Sequence, residues 1–313
     1  MIDRRAFLAT TALTVLAASR IGEARASTSF RVPRVGVLGE ASPIPWIVRT
    51  PVVDIECRWA DVERKTLADL ASQLLALDVD VVVALGAASA RAASRRTAHV
   101  PIVAVADADV GDDAALVTLA QSAHNVTRVS GPSEAGMAQQ RLRILGQLRP
   151  RVRRAAVFFD PDCVASVRAL AQLPGPALAP AVDVLALPAR TVEDVERALG
   201  GPARDAVDGV LVLADTMLTG QVARLAELTA AARLPAACGA PAFTEAGGLL
   251  AVYGDTGELI RRTAIIVRRI LAGETPATLS VPPRVAINVS AAKRLGVAVP
   301  SRLLARADVL ATG

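Results

Sequence analysis

An α/β fold of two lobes, each built on a parallel sheet and joined by a hinge, is predicted by three features of the sequence. Short β-branched runs alternate with Ala/Leu-periodic segments, the pattern of βα units feeding a parallel sheet. That alternation restarts after residue 130, which implies two similar lobes rather than one large sheet. At 313 residues the chain is long enough for each lobe to bury its own core. The residues are 52% apolar but only 3% aromatic, so Ala, Val and Leu must build those cores, as they do in sheets covered on both faces.

Taken in order, Arg34 to Leu38 reads as the first strand and Asp54 to Arg58 as the second. Leu67, Leu70, Leu74 and Leu77 recur at helical spacing. They run into Val79 to Leu85, a continuous apolar run suited to a strand buried on both faces. Gly86-Ala87-Ala88-Ser89 turns the chain into an Ala-rich helix ending near Arg95-Arg96. Pro101 to Ala106 is the next strand, and Asp107 stands at its carboxyl end. The second series has a helix with Leu142, Leu145 and Leu148, then strand Ala155 to Phe159, ending at Asp160-Pro161-Asp162. Strand Val182 to Leu187, helix Val192 to Leu199, strand Gly209 to Ala214, helix Gln221 to Ala232 and strand Pro235 to Cys238 follow. The boundaries predicted are 27–129 with 253–275 for the first lobe and 130–252 with 276–313 for the second. Helix Glu258 to Leu271 thus returns to the first lobe.

The formal charge is +5, almost all of the positive charge is Arg, and it is scattered among acids rather than gathered in one stripe. That pattern gives no argument for nucleic acid. Residues 1–26 read as an address. Arg4-Arg5 followed by Ala6-Phe7-Leu8, a modest apolar stretch and Ala24-Arg25-Ala26 resemble a twin-arginine export signal, which implies the periplasm. An uncleaved anchor is the alternative. Later apolar runs are interrupted too soon to span a bilayer. Cys57, Cys163 and Cys238 are an odd count without CxxC spacing, so buried thiols are expected rather than a disulfide framework or zinc site.

Ligands of open α/β sheets sit beyond the carboxyl ends of the strands. Gly86, Ala87, Ala88 and Ser89 form the best anion site there: small residues, free N–H groups at a helix start and a hydroxyl donor. The same residues serve equally as an ordinary helix start. Asp107, Asp160, Asp162, Asp215 and Thr216 stand at other carboxyl ends, where they accept from a ligand ammonium or simply cap helices. Gly39 and Glu40 hold the equivalent place after the first strand, and Trp46 stacks on a ligand or fills a core gap. No catalytic, metal or cofactor site is expected. His99 and His124 lie far from any acid and nucleophile pattern, and there is no GxSxG, GxGxxG or Walker loop.

Specific strings carry a family resemblance. They are Arg58-Trp59-Ala60, Asn125-Val126-Thr127 at the lobe crossing, Glu245-Ala246-Gly247-Gly248-Leu249, and Tyr253-Gly254-Asp255. The tail adds Ile287-Asn288, Ala292-Lys293, Leu295-Gly296, Pro300, Leu303-Leu304 and Arg306-Ala307-Asp308. Over roughly residues 55 to 310 the chain resembles the ABC transporter substrate-binding proteins whose best-understood members take up aromatic amino acids. The resemblance implies the type I periplasmic-binding fold, with two Rossmann-like lobes that capture a small molecule, here an amino acid or related carboxylate, and deliver it to an ABC permease in the inner membrane. A sensory protein presenting its ligand to a receptor is the alternative; an enzyme on the same scaffold is less favoured. His124 stands where the family has Gly, and Asp107-Ala108 where it has Asp-Pro.

The first βα unit also departs from the family. Only Gly39 to Val53 separates the first two strands, with Pro43, Pro45 and Pro51 inside, so the first helix is expected to be missing. An apolar sheet face would then be left for a second copy or another partner, with Ile44, Trp46 and Ile47 in the contact.

Overall fold

The computed structural model describes residues 31–40, 53–106, 113–173, 182–213, 218 and 220–312. The leader, the stretch between the first two strands with Ile44, Trp46 and Ile47, and Asp107, Asp215 and Thr216 lie outside the described residues, so the expectations for them are neither met nor overturned. The described chain folds as two compact units. One runs to Gly131 and resumes at Asp255–Val281; the other is Pro132–Gly254 with Pro282 onward.

The first unit contains β1 (Arg34–Gly39), β2 (Asp54–Trp59), α1 (Ala60–Glu63), α2 (Leu67–Leu75), β3 (Val81–Leu85), α3 (Gly86–Ser94), β4 (Ile102–Ala106), α4 (Asp113–Ser122) and β5 (Val126–Ser130). Its sheet has the order β11-β5-β4-β3-β1-β2, with every pairing parallel; β11 is Leu279–Ser280 and belongs to a later segment. Strand alternation separates two cores. Leu38, Val82, Ala84 and Ile102 pack with Leu70 and Leu74 of α2, Ala90 of α3 and Leu116 of α4. Val35, Val81, Val83 and Val103 face the other way, onto a helix introduced below, through Leu259, Ile266 and Val267.

The second unit contains α5 (Glu134–Leu145), β6 (Arg154–Phe159), α6 (Val164–Gln172), β7 (Asp183–Pro188), α7 (Val192–Leu199), β8 (Gly209–Val212), α8 (Val222–Ala231), β9 (Ala236–Cys238), α9 (Ala242–Glu245) and β10 (Leu250–Tyr253). Next, α10 (Thr256–Leu271) and β11 return the chain to the first unit. The remaining β12 (Arg284–Asn288), α11 (Val289–Arg294), α12 (Ser301–Leu304) and β13 (Val309–Ala311) belong to the second. That sheet has the order β13-β12-β10-β9-β8-β6-β7, parallel except for the antiparallel pair β10 and β12. Phe158, Val195, Val210, Leu225 and Phe243 are among its buried core.

Two local expectations need correction. Asn125-Val126-Thr127 is not the crossing: Val126 opens β5, which pairs with β4 across five residues, and the chain leaves the unit only after Gly131. Residues 276–281, expected in the second lobe, belong to the first unit because Leu279 and Ser280 pair with Val129 and Ser130.

Candidate functional site

Because β1, β2 and β3 are parallel, their carboxyl ends share one edge of the first unit. Register sets Gly39 opposite Trp59 and Leu38 opposite Ala84, so Glu40, Trp59 and the Leu85–Gly86 junction end at a common level. The Asp61 N–H donates to the Glu40 carbonyl at 2.9 Å, tying the end of β1 to the start of α1. The Glu40 side chain is exposed and Trp59 is half-buried. Trp59 belongs on the list of candidate ligand contacts, and only register reveals it. In the sequence it lies one residue past the predicted strand, inside the string Arg58-Trp59-Ala60, with nothing to set it level with Gly86.

The turn after β3 has no loop. Gly86 has φ +82°, a left-handed conformation that lets the strand pass directly into α3. Leu85 occupies the cap position and offers no side-chain acceptor, so the first-turn N–H groups have no side-chain cap. Ala87 is 1% exposed and Ser89 is fully buried, with its hydroxyl unpartnered. Of the four residues expected to form the anion site, only Ala88 reaches the surface of the unit. What this helix start can offer is backbone N–H donation, because the Ser89 side chain is buried.

In the second unit Asp160 and Asp162 follow β6. Asp160 is engaged locally: its Oδ1 accepts from the Asp162 N–H at 2.9 Å and its carbonyl from the Cys163 N–H at 3.2 Å. Asp162 meets Arg190, two residues beyond β7, at 2.7 Å, and both side chains are exposed. The Arg190 hydrogen bond, and then its charge, hold the Asp162 carboxyl below its usual range. Register explains this pair, since Phe159 lies opposite Pro188. Arg190 was missed by sequence reasoning because the partners are 28 residues apart in the chain.

The three cysteines are free thiols. Cys238 is buried, which raises its pKa. Cys57 on β2 is pushed up to about 11, first by desolvation and then by the Glu56 charge, with Arg58 opposing. Among the described residues no cluster of three or more His, Cys, Asp or Glu could hold a metal ion, and no helix is long and apolar enough to cross a membrane.

Comparison with known proteins adds the following. A family model described as ABC transporter substrate binding protein matches residues 50–310. A Streptococcus pneumoniae ABC domain in complex with L-Trp is 20% identical, with TM-score 0.59, covering 90% of this chain and 100% of that one. A ligand-free, open substrate-binding protein with adhesive properties from Clostridium difficile is 19% identical, with TM-score 0.67 and the same coverage. A periplasmic solute-binding protein from Actinobacillus succinogenes with bound D-allose is 16% identical, with TM-score 0.53, covering 81% of this chain and 96% of that one. A search of curated proteins returned no match.

Proposed function

Because this chain belongs to the ABC transporter substrate-binding protein family and has the type I periplasmic-binding fold, we propose that it captures a small carboxylate, an amino acid or a close relative, outside the cytoplasm and delivers it to an ABC permease. The observation that carries the carboxylate reading is the start of α3. It is a nine-residue helix entered through a left-handed glycine, its first N–H groups lacking a side-chain cap, at the same sheet edge as Glu40 and Trp59. Such a terminus favours an anion through unpaired donors and the helix dipole. Glu40 would accept from a ligand ammonium, and Trp59 offers a flat apolar surface to a side chain. Asp160 and Asp162, with Asp107, Asp215 and Thr216, remain proposed contacts from other strand ends; for Asp162 the Arg190 partner makes an anion-tolerant edge as well.

The test is a thermal-shift screen of the mature protein against amino acids, organic acids, aromatic carboxylates and neutral sugars. At a hundred times its dissociation constant a ligand stabilises by about 2.7 kcal/mol. Carboxylates should raise the melting temperature. A shift with neutral sugars alone would overturn the carboxylate reading while leaving the family unaffected.

A further inference from the structure

The chain passes between the units three times, and ordered structure runs almost to each crossing. On the first unit's side Ser130 pairs with Ser280, and the Val281 N–H donates to the Ser130 carbonyl at 2.8 Å. The Gly131 N–H donates to the Ala106 carbonyl at 2.9 Å. Asp255 caps α10 by accepting from the Glu258 N–H at 2.9 Å. On the second unit's side Tyr253 pairs with Arg284, and Ser133 caps α5 by accepting from the Gly136 N–H at 3.2 Å. Between these held ends stand Pro132 in the first passage, Gly254 in the second and Pro282-Pro283 in the third. A hinge concentrates its backbone change on a few such connecting residues.

In the second unit the second and third passages are joined to each other by the antiparallel ladder of β10 and β12. The first has no ladder there, because it enters a helix. Arg141, two turns into α5, supplies the link instead. Its guanidinium donates to the Val252 carbonyl of β10 through Nε and Nη2, and both Glu134 oxygens accept from it. Helices packed through apolar side chains can slide on their neighbours, the shear mode of domain movement. A planar fork of donors fixed on one carbonyl and one carboxylate resists that sliding. Stability alone does not account for the pair, since apolar side chains of similar volume serve a core as well or better. We propose that Arg141, held by Glu134, is a hinge anchor: it fixes the first passage to the second within this unit, so that closure turns on Pro132, Gly254 and Pro282-Pro283 and α5 does not shift on β10. Arg141 is then a positioning residue, acting through the backbone of β10. The inference rests on the two-lobe capture proposed above.

The experiment measures the distance distribution between two spin labels in the solute-free mature protein by double electron–electron resonance. The labels sit at Ser122→Cys in the first unit and Arg168→Cys in the second, both exposed positions. Cys57→Ser and Cys163→Ser remove the other reachable thiols, and Cys238 is buried. With Arg141→Met and Glu134→Leu together, the distribution should become about twofold broader while the melting temperature is largely kept. If that variant melts much earlier, Arg141→Lys, which keeps the charge and loses the fork, carries the test in its place. Met137→Ala thins the buried packing of the same helix without touching the fork, so it should lower the melting temperature and leave the width unchanged. An unchanged width in the Arg141 variants overturns the anchor, and so does equal broadening by Met137→Ala. Neither result bears on the carboxylate reading, because no solute is present; that reading fails or stands on the thermal-shift screen.

Discussion

Arg141 is the largest fully buried side chain among the described residues. Its guanidinium meets Glu134 in a two-pronged pair, Nη1 to Oε1 at 2.6 Å and Nη2 to Oε2 at 3.1 Å. Nε and Nη2 also donate to the Val252 carbonyl at 2.9 and 2.7 Å. Glu134 lies three residues after the chain enters the second unit and Val252 three residues before it leaves, so one buried pair fastens both passages on that unit's side. Removing one partner strands the other charge. Arg141→Met should therefore destabilise the protein by about 3–5 kcal/mol, while adding Glu134→Leu should restore much of the loss; calorimetry of the single and double variants checks this. The sequence concealed it, since Arg141 reads as one more arginine among scattered surface charges. Cys57 gives a pH prediction. Its folded pKa is above the unfolded value near 9, so the folded state prefers the protonated thiol. The associated stability is complete below pH 9 and lost as pH rises through about 11. Melting curves from pH 8 to 11 should fall more steeply for wild type than for Cys57→Ala, and parallel curves would contradict the assignment.

At the scale of elements, local pattern was a good guide where a strand is apolar on both faces. Val81–Leu85 and Ile102–Ala106 are central in their sheet and almost wholly buried, and both stood out as β-branched runs. Two kinds of element were harder. The strands β10 and β12 pair antiparallel across thirty residues of intervening chain, and no local signal states that partnership. The α3 start was located correctly in sequence, but which of its residues faces outward depends on how the helix rolls onto the sheet, and it rolls Ser89 inward. Gly86 fixes that entry. Gly86→Val places a β-branched residue at φ +82°, which costs about 1–3 kcal/mol. The variant should melt earlier and lose the carboxylate-induced shift, whereas Ser89→Ala should bind as wild type; a reversal of these two results would move the anion contact from backbone to side chain.

At the scale of the whole molecule, three passages of chain link the units, after Gly131, Gly254 and Val281. Closure on a solute is the expected motion of such a fold, and a saturating solute should reduce the radius of gyration in solution scattering; an unchanged radius would rule out closure. Export is tested separately: replacing Arg4 and Arg5 with Lys should leave the protein in the cytoplasm, and a processed periplasmic product from that variant would exclude the twin-arginine route. By itself the sequence determined the α/β class, the two-lobe organisation, the family strings of the tail and the junction at Gly86. These depend on hydrophobic period and on residues with special backbone conformations, both local properties of a chain. Only the tertiary structure decided that Arg141 is buried, that Trp59 stands level with the start of α3, and that Asp162 meets Arg190. Each of those depends on which βα units pack side by side and in what register, so the residues that meet are far apart in the chain and no spacing along it records their meeting.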